Sequence, residues 1–173
     1  MLKPNLSLYI TENKLLKTAV VLIDTREKEN THIVEWLDKH EISRREQKLY
    51  CGDYTLLLPK NEEYGIPQDL ILDYAIERKA SLEELSGNLT NDRDRIENEL
   101  RRCGGKMDFV VENGSIDKVL AHDYKTEYNE KSYLATLMTF LHRFGVSFNF
   151  VDKARSAQVI YAMLHYKLRE ELI

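Results

Sequence analysis

Two acids and an ammonium occupy positions that ordinary surface charge does not explain. Ile71, Leu72, Tyr74, Ala75 and Ile76 lead into Glu77-Arg78-Lys79, with only Asp73 breaking the apolar run. Charges at the end of such a strand are costly unless they are paired or bind something. Asp53 follows Cys51-Gly52, and Asp24 closes the apolar run Ala19-Val20-Val21-Leu22-Ile23. Carboxylate oxygens suit a hard divalent cation, and magnesium takes only a few of them, keeping room for water and phosphate. Asp24, Asp53 and Glu77 are therefore candidate ligands for Mg2+ or Mn2+. Lys79, two residues past Glu77, would project beside the ion, orienting water and steadying negative charge. Work as a general base would need a strongly lowered pKa, whereas neighbouring carboxylates favour the charged amine. A cation, a positioned water and charge stabilisation are what phosphodiester hydrolysis requires. An acid with lysine at i+2 is also the mark of an exposed, salt-bridged strand. The apolar approach to Glu77 argues for the first reading.

These side chains need strands to hold them. The β-branched run ending at Asp24 reads as a buried strand. Asn30 or Thr31 caps a helix with Ile33, Trp36 and Leu37 at helical spacing. Strands are expected around 47–50 and over 54–58, and again over 70–79 after a loop carrying Pro59, Gly65 and Pro67. A hairpin centred on Gly65 would set Asp53 opposite Glu77, each twelve positions away. Period-two alternation puts Glu77 and Lys79 on one face and Arg78 on the other. Ser81 with Glu84 makes a capping box. Gly87 is expected to interrupt that helix, a second running from 91 to 102 and stopping at Gly104-Gly105. Then come a strand over 107–111, a short helix over 115–122, an amphipathic helix over 131–144, a strand over 146–151 and a helix over 154–172. Strands alternating with helices predict an α/β fold, a central mixed sheet flanked by helices.

The chain has 173 residues, 43% hydrophobic and 31% charged, a globular balance with enough length for one core. Residues 1–17 read as an N-terminal arm and 18–173 as a single domain. No apolar run approaches the length that crosses a bilayer or leads export, so a cytoplasmic location is expected. Cys51 and Cys103 form neither a disulfide framework nor a metal knuckle. The net charge of −4 is unusual for a nucleic-acid binder. Carboxylates gathered for a metal lower the sum without deciding the local field.

Three ordered segments carry a resemblance. Ile23-Asp24-Thr25-Arg26-Glu27, Cys51-Gly52-Asp53-Tyr54 and Ile76-Glu77-Arg78-Lys79-Ala80-Ser81-Leu82 resemble the signatures of the XPF-type nuclease domain. That domain belongs to the restriction-endonuclease-like PD-(D/E)XK class. Gly87 to Ile96, with Glu99-Leu100, is similar to compact bacterial and phage members. The resemblance implies a restriction-endonuclease-like core and a metal-dependent DNA endonuclease of repair or recombination. Asp24, Asp53 and Glu77 would bind or surround the metal, Lys79 would be the catalytic lysine and Arg78 its neighbouring arginine. Arg26 and Glu27 would support the site. The family's further acid, four residues past the lysine, falls here on Glu83, with Glu84 beside it. Branched, flapped or forked DNA is the implied substrate, with 5′-phosphate and 3′-hydroxyl products. The larger relatives' helix-hairpin-helix module has no counterpart in this sequence.

Arg93 and Arg95 follow closely on the catalytic strand and are assigned to DNA. Arg101 and Arg102, near a helix C-terminus, are read as surface charge stabilising that end. The five histidines show no metal-ligand spacing. Ala157, Tyr161, Leu164 and Leu168 form a stripe that could cover the chain's own sheet or pair with a second copy. The resemblance favours a homodimer through 130–173. Two alternatives stand beside this reading: a non-catalytic DNA-binding scaffold, and a restriction-like enzyme cutting plain duplex.

Overall fold

The computed structural model describes residues 14–172, so most of the expected arm lies outside the described residues. The strands belong to a mixed seven-stranded sheet flanked by helices, the expected α/β class. The chain divides into two compact units, Met1–Leu49 with Asp53–Ala75 and Ala157–Ile173, and Tyr50–Gly52 with Ile76–Ser156.

In the first unit, β1 (Val20–Ile23) runs into α1 (Thr31–Lys39) and returns as β2 (Arg44–Glu46), parallel to β1 with Leu22 level with Arg45. Parallel neighbours need such a crossover. β3 (Tyr54–Leu58) lies antiparallel on the other side of β1, placing Ile23 opposite Tyr54. Every residue of β3 is buried, as are Val21, Leu22 and Ile23. β2 replaces the strand expected at 47–50. Its residues are all exposed and charged, so no hydrophobic pattern announced it, and charge on an edge strand blunts unwanted pairing.

The run over 70–79 is not one strand. β4 (Leu70–Ile71) pairs with β3, and β5 (Ala75–Lys79) begins after a break at 72–74. Thr55 Oγ1 donates to the carbonyls of Leu72 and Tyr74 across this break (3.2 and 2.7 Å). Leu58 faces Leu70, so the hairpin centres on Tyr64 rather than Gly65. Continued, that register would set Ala75 level with Asp53, and the expected Asp53–Glu77 register is not that of this hairpin. The loop itself supplies the offset. A 3-10 turn over Glu62–Tyr64 is capped by the Asn61 side chain and closed by Gly65 in left-handed conformation at φ +72°.

In the second unit the strand order is β5, β6 (Met107–Glu112), β7 (Phe148–Val151). β6 and β7 are parallel, with Phe109 level with Phe148 and their rings stacked at 4.7 Å. α2 (Leu82–Thr90) starts at Ser81, whose Oγ accepts from Glu84 N, while Glu84 Oε2 accepts from Ala80 N. Gly87 does not interrupt α2. A glycine inside a helix costs about 1 kcal/mol, and burial of Leu85 and Leu89 on either side outweighs it. α3 (Arg93–Cys103) ends at Gly104 in left-handed conformation. α4 (Ile116–Leu120) and α5 (Glu130–Phe144) connect β6 to β7.

α6 (Lys153–Leu172) follows β7. Ala157, Ile160, Leu164 and Leu168 along it are buried within the chain, and Tyr161 lies 6.1 Å from Trp36. Most of the stripe expected to serve either the sheet or a partner is thus spent internally. No helix among the described residues is long and apolar enough to cross a membrane.

Candidate active site

Each unit organises its own share of the expected residues. In the first, β1 and β3 end side by side, and Asp24 N donates to the Asp53 carbonyl at 2.8 Å. The two acids are therefore neighbours at one end of a strand pair. Asp24 is buried, and its carboxylate is saturated. Oδ1 accepts from Arg26 N and Nε (2.8 and 2.7 Å), Oδ2 from Arg26 Nη2 and Leu49 N (3.1 and 2.7 Å). A carboxylate has about four acceptor positions, and all are taken. Asp24 therefore holds a turn together, with Arg26 as its clamp, and leaves no lone pair for a cation. Glu27 continues this turn, its N–H bonded to the Asp24 carbonyl.

Burial works to raise the Asp24 pKa, but the bonds from Arg26 and Leu49 outweigh it and hold the group below its ordinary value. A depressed folded-state pKa adds stability above the unfolded value, which is lost as pH falls through the folded one. Asp24→Asn is expected to lower unfolding stability near neutrality by about 1.5–3 kcal/mol, the scale of charge-assisted hydrogen bonds. Urea melts should show the gap from wild type narrowing below about pH 4, the ordinary carboxylate pKa. A gap that is constant down to strong acid would count against the charged contacts.

In the second unit, β5 carries Glu77, Arg78 and Lys79, all buried. Lys79 Nζ donates to Glu77 Oε1 at 2.7 Å, so these two share a face as strand alternation requires. Glu77 Oε2 has no hydrogen-bond partner among the described residues. Burial pushes the Glu77 pKa up, with the Lys79 ammonium acting against it. Glu99 and Arg95 on α3 are within electrostatic range of Glu77, opposing each other's effect. Glu84 Oε1 lies 3.7 Å from Lys79 Nζ, whereas Glu83 Oε1 accepts from Lys125 N at 3.1 Å. Of the two adjacent acids, Glu84 is the one beside the lysine.

Arg78 takes the opposite direction. Its Nη1 donates to Glu112 Oε2 at 3.0 Å, and both side chains are almost wholly buried. Glu112, the last residue of β6, escaped sequence reading because the expected strand stopped one residue short. Arg93 Nε is held by Glu97 Oε1 at 3.0 Å, while Arg95 is largely exposed, 3.8 Å from Asp92. Sequence reading assigned Glu97 no role, because an acid on a highly charged helix carries no local signal of burial. Cys51 and Cys103 are free thiols.

The donor chemistry fits magnesium. Within the second unit Glu77 retains one oxygen, and one or two carboxylates with water are the usual protein share. No three His, Cys, Asp or Glu side chains form a ready metal cage among the described residues.

An α/β fold that ends its strands in acids and a lysine defines the class, and comparison defines the family. The ERCC4 domain model matches residues 23–163. The chain belongs to the ERCC4 domain family. Its fold is similar to that of XPF from Aeropyrum pernix, at TM-score 0.62 and 20% identity over 88% of this chain and 63% of that one. XPF from Aeropyrum pernix in complex with DNA matches at TM-score 0.60 and 17% identity, over 88% of this chain and 66% of that one. The chain thus spans under two thirds of the length of either. No curated protein sequence matches it.

Proposed function

We propose that this protein is a divalent-metal-dependent endonuclease that hydrolyses DNA phosphodiester bonds, acting on branched, flapped or forked DNA. The observation that carries this reading is the Glu77–Lys79 pair, a buried carboxylate with one oxygen uncommitted and an ammonium fixed beside it. Replacing a buried ion pair by an apolar pair is often neutral or stabilising, so stability alone is a weak reason for these two charges. Family membership and the DNA complex of the similar fold support the assignment.

In this proposal Glu77 holds Mg2+ or Mn2+, and the resemblance assigns Asp53 the same chemistry. Asp24, expected among the ligands, positions Asp53 through the Asp24 N–H and keeps the turn rigid through Arg26. A bound divalent cation supplies positive charge to a phosphate oxygen and makes water easier to deprotonate. Lys79 orients the attacking water and stabilises charge on the phosphate, and Glu84 keeps Lys79 in place. Arg93 and Arg95 face the DNA backbone. In-line displacement leaves 5′-phosphate and 3′-hydroxyl ends. We further propose a homodimer through residues 130–173. With the α6 stripe buried, exposed Met138 and Leu141 of α5 are the apolar groups that would make its contacts.

The test uses forked and linear duplexes of identical sequence, with magnesium, manganese or a chelator. Cutting of the fork alone, abolished by the chelator, is the expected result. Equal cutting of both forms would favour a restriction-like enzyme. Binding without cutting under any metal would favour a scaffold.

A further inference from the structure

Among the arginine ion pairs of α3, two set one cation beside one acid. Arg95 lies by Asp92, and Arg102 by Glu99. Around Glu97, however, three guanidinium groups converge on a single carboxylate. Arg93 Nε donates to Oε1 (3.0 Å), Arg101 Nη2 to Oε2 (2.7 Å), and Arg143 Nη1 lies 3.4 Å from Oε1. The Glu97 side chain is only 10% exposed, whereas those of Arg93, Arg101 and Arg143 are 39%, 56% and 51% exposed. The anion is the buried pin and the cations are the surface.

Aromatic rings fix the cations further. Arg93 lies 5.5 Å from the Phe140 ring centre, while Arg101 and Arg143 lie 5.7 and 5.9 Å from that of Phe144. Stacking and ion pairing hold the forks before any ligand arrives, which reduces the ordering cost of binding. Most of the donors remain uncommitted. Beyond Glu97, the only other hydrogen bond these three guanidiniums make among the described residues is Arg101 Nη1 to Asn98 Oδ1 (3.1 Å). Asp94 shares this side of α3 by helical spacing. Three cations less two carboxylates still leave a positive patch on a chain whose net charge is −4.

We propose that Arg93, Arg101 and Arg143, pinned by Glu97, form a binding site for consecutive phosphates of duplex DNA. This rests on the nuclease reading above and extends it. Arg143 belongs to a different helix from the other two, and Arg101 changes from a helix-end charge to a DNA contact. Guanidinium forks match phosphate oxygens in pairs, and salt-dependent affinity is the signature of such contacts.

The experiment measures duplex binding by fluorescence anisotropy in a metal chelator, so cleavage plays no part. Wild type is compared with Arg101→Ala, Arg143→Ala, the double variant, and Lys60→Ala of the first unit, an exposed lysine, as a control. The double variant should bind at least about tenfold more weakly. Its slope of log affinity against log salt should be shallower by about two, near 0.9 for each phosphate that is no longer neutralised. Lys60→Ala should match wild type. Thermal melting checks that the variants fold, and charge-preserving Arg101→Lys with Arg143→Lys should restore most of the salt slope. Wild-type affinity and slope in a folded double variant would overturn the patch alone. Failure of the wild type to bind duplex would overturn the nuclease reading with it.

Discussion

Cleavage in magnesium should fall by roughly 10²–10³-fold when Glu77 is replaced by glutamine, the scale for losing one group that stabilises a transition state. The substitution keeps the shape of a fully packed side chain while removing its charge, so packing is preserved and the loss reports chemistry. Glu77 Oε1 is occupied by Lys79 and Oε2 by no described residue, so in the proposed mechanism Oε2 is the oxygen that would meet the cation. Lys79→Met should cost a similar factor, because the methionine fills the same volume without an ammonium to orient water or meet the phosphate. The two losses should not add, since each group positions the other. Rates come from single-turnover cutting of a forked substrate, with DNA binding in a chelator measured alongside. Retained binding with lost cutting places the effect on chemistry. Full activity in folded Glu77→Gln would remove the site assignment, whatever the behaviour of the fold.

The second large effect concerns stability. Arg78→Ala should lower unfolding free energy by about 3–5 kcal/mol, the usual consequence of stranding one member of a buried ion pair. That is a large part of the roughly 5–15 kcal/mol that holds a typical domain folded. Glu112 is fully buried and accepts from Arg78 Nη1 at 3.0 Å. Without Arg78 it would keep its desolvation cost and lose this compensation. The combined replacement Arg78→Met with Glu112→Leu should recover much of the loss, because an apolar pair of similar volume carries no desolvation penalty. Urea denaturation of the three variants tests this. A single alanine variant as stable as wild type would show the ion pair to be energetically idle. The resemblance had implied a catalytic role for Arg78; in the fold its side chain also joins β5 to β6 through Glu112.

Much of the α/β fold was legible because its signals are local. The β-branched run to Ile23, the Ser81 capping box and the glycine at 104 each act within a few residues, and all lie where expected. β2 was not legible, since a three-residue charged edge strand is defined by its hydrogen bonds to β1 rather than by its side chains. Nor was the hairpin register, which depends on how the 62–65 turn is wound and on Thr55 bridging the break before β5.

The same division runs through the site. By itself, the order of residues determined the kinds of groups available: acids closing apolar strands, and a lysine two places beyond Glu77. Alternation fixed that Glu77 and Lys79 would meet and Arg78 would turn away. Tertiary structure decided which of these groups is already committed. Asp24 is saturated partly by Leu49, twenty-five residues on, and Arg78 is claimed by Glu112, thirty-four residues on. Arg143 reaches the Glu97 cluster from forty-six residues away. A residue's type sets which bonds it can make. Partners so distant along the chain are chosen only when strands and helices pack, and the packing settles which lone pairs and which cations are left over for a ligand.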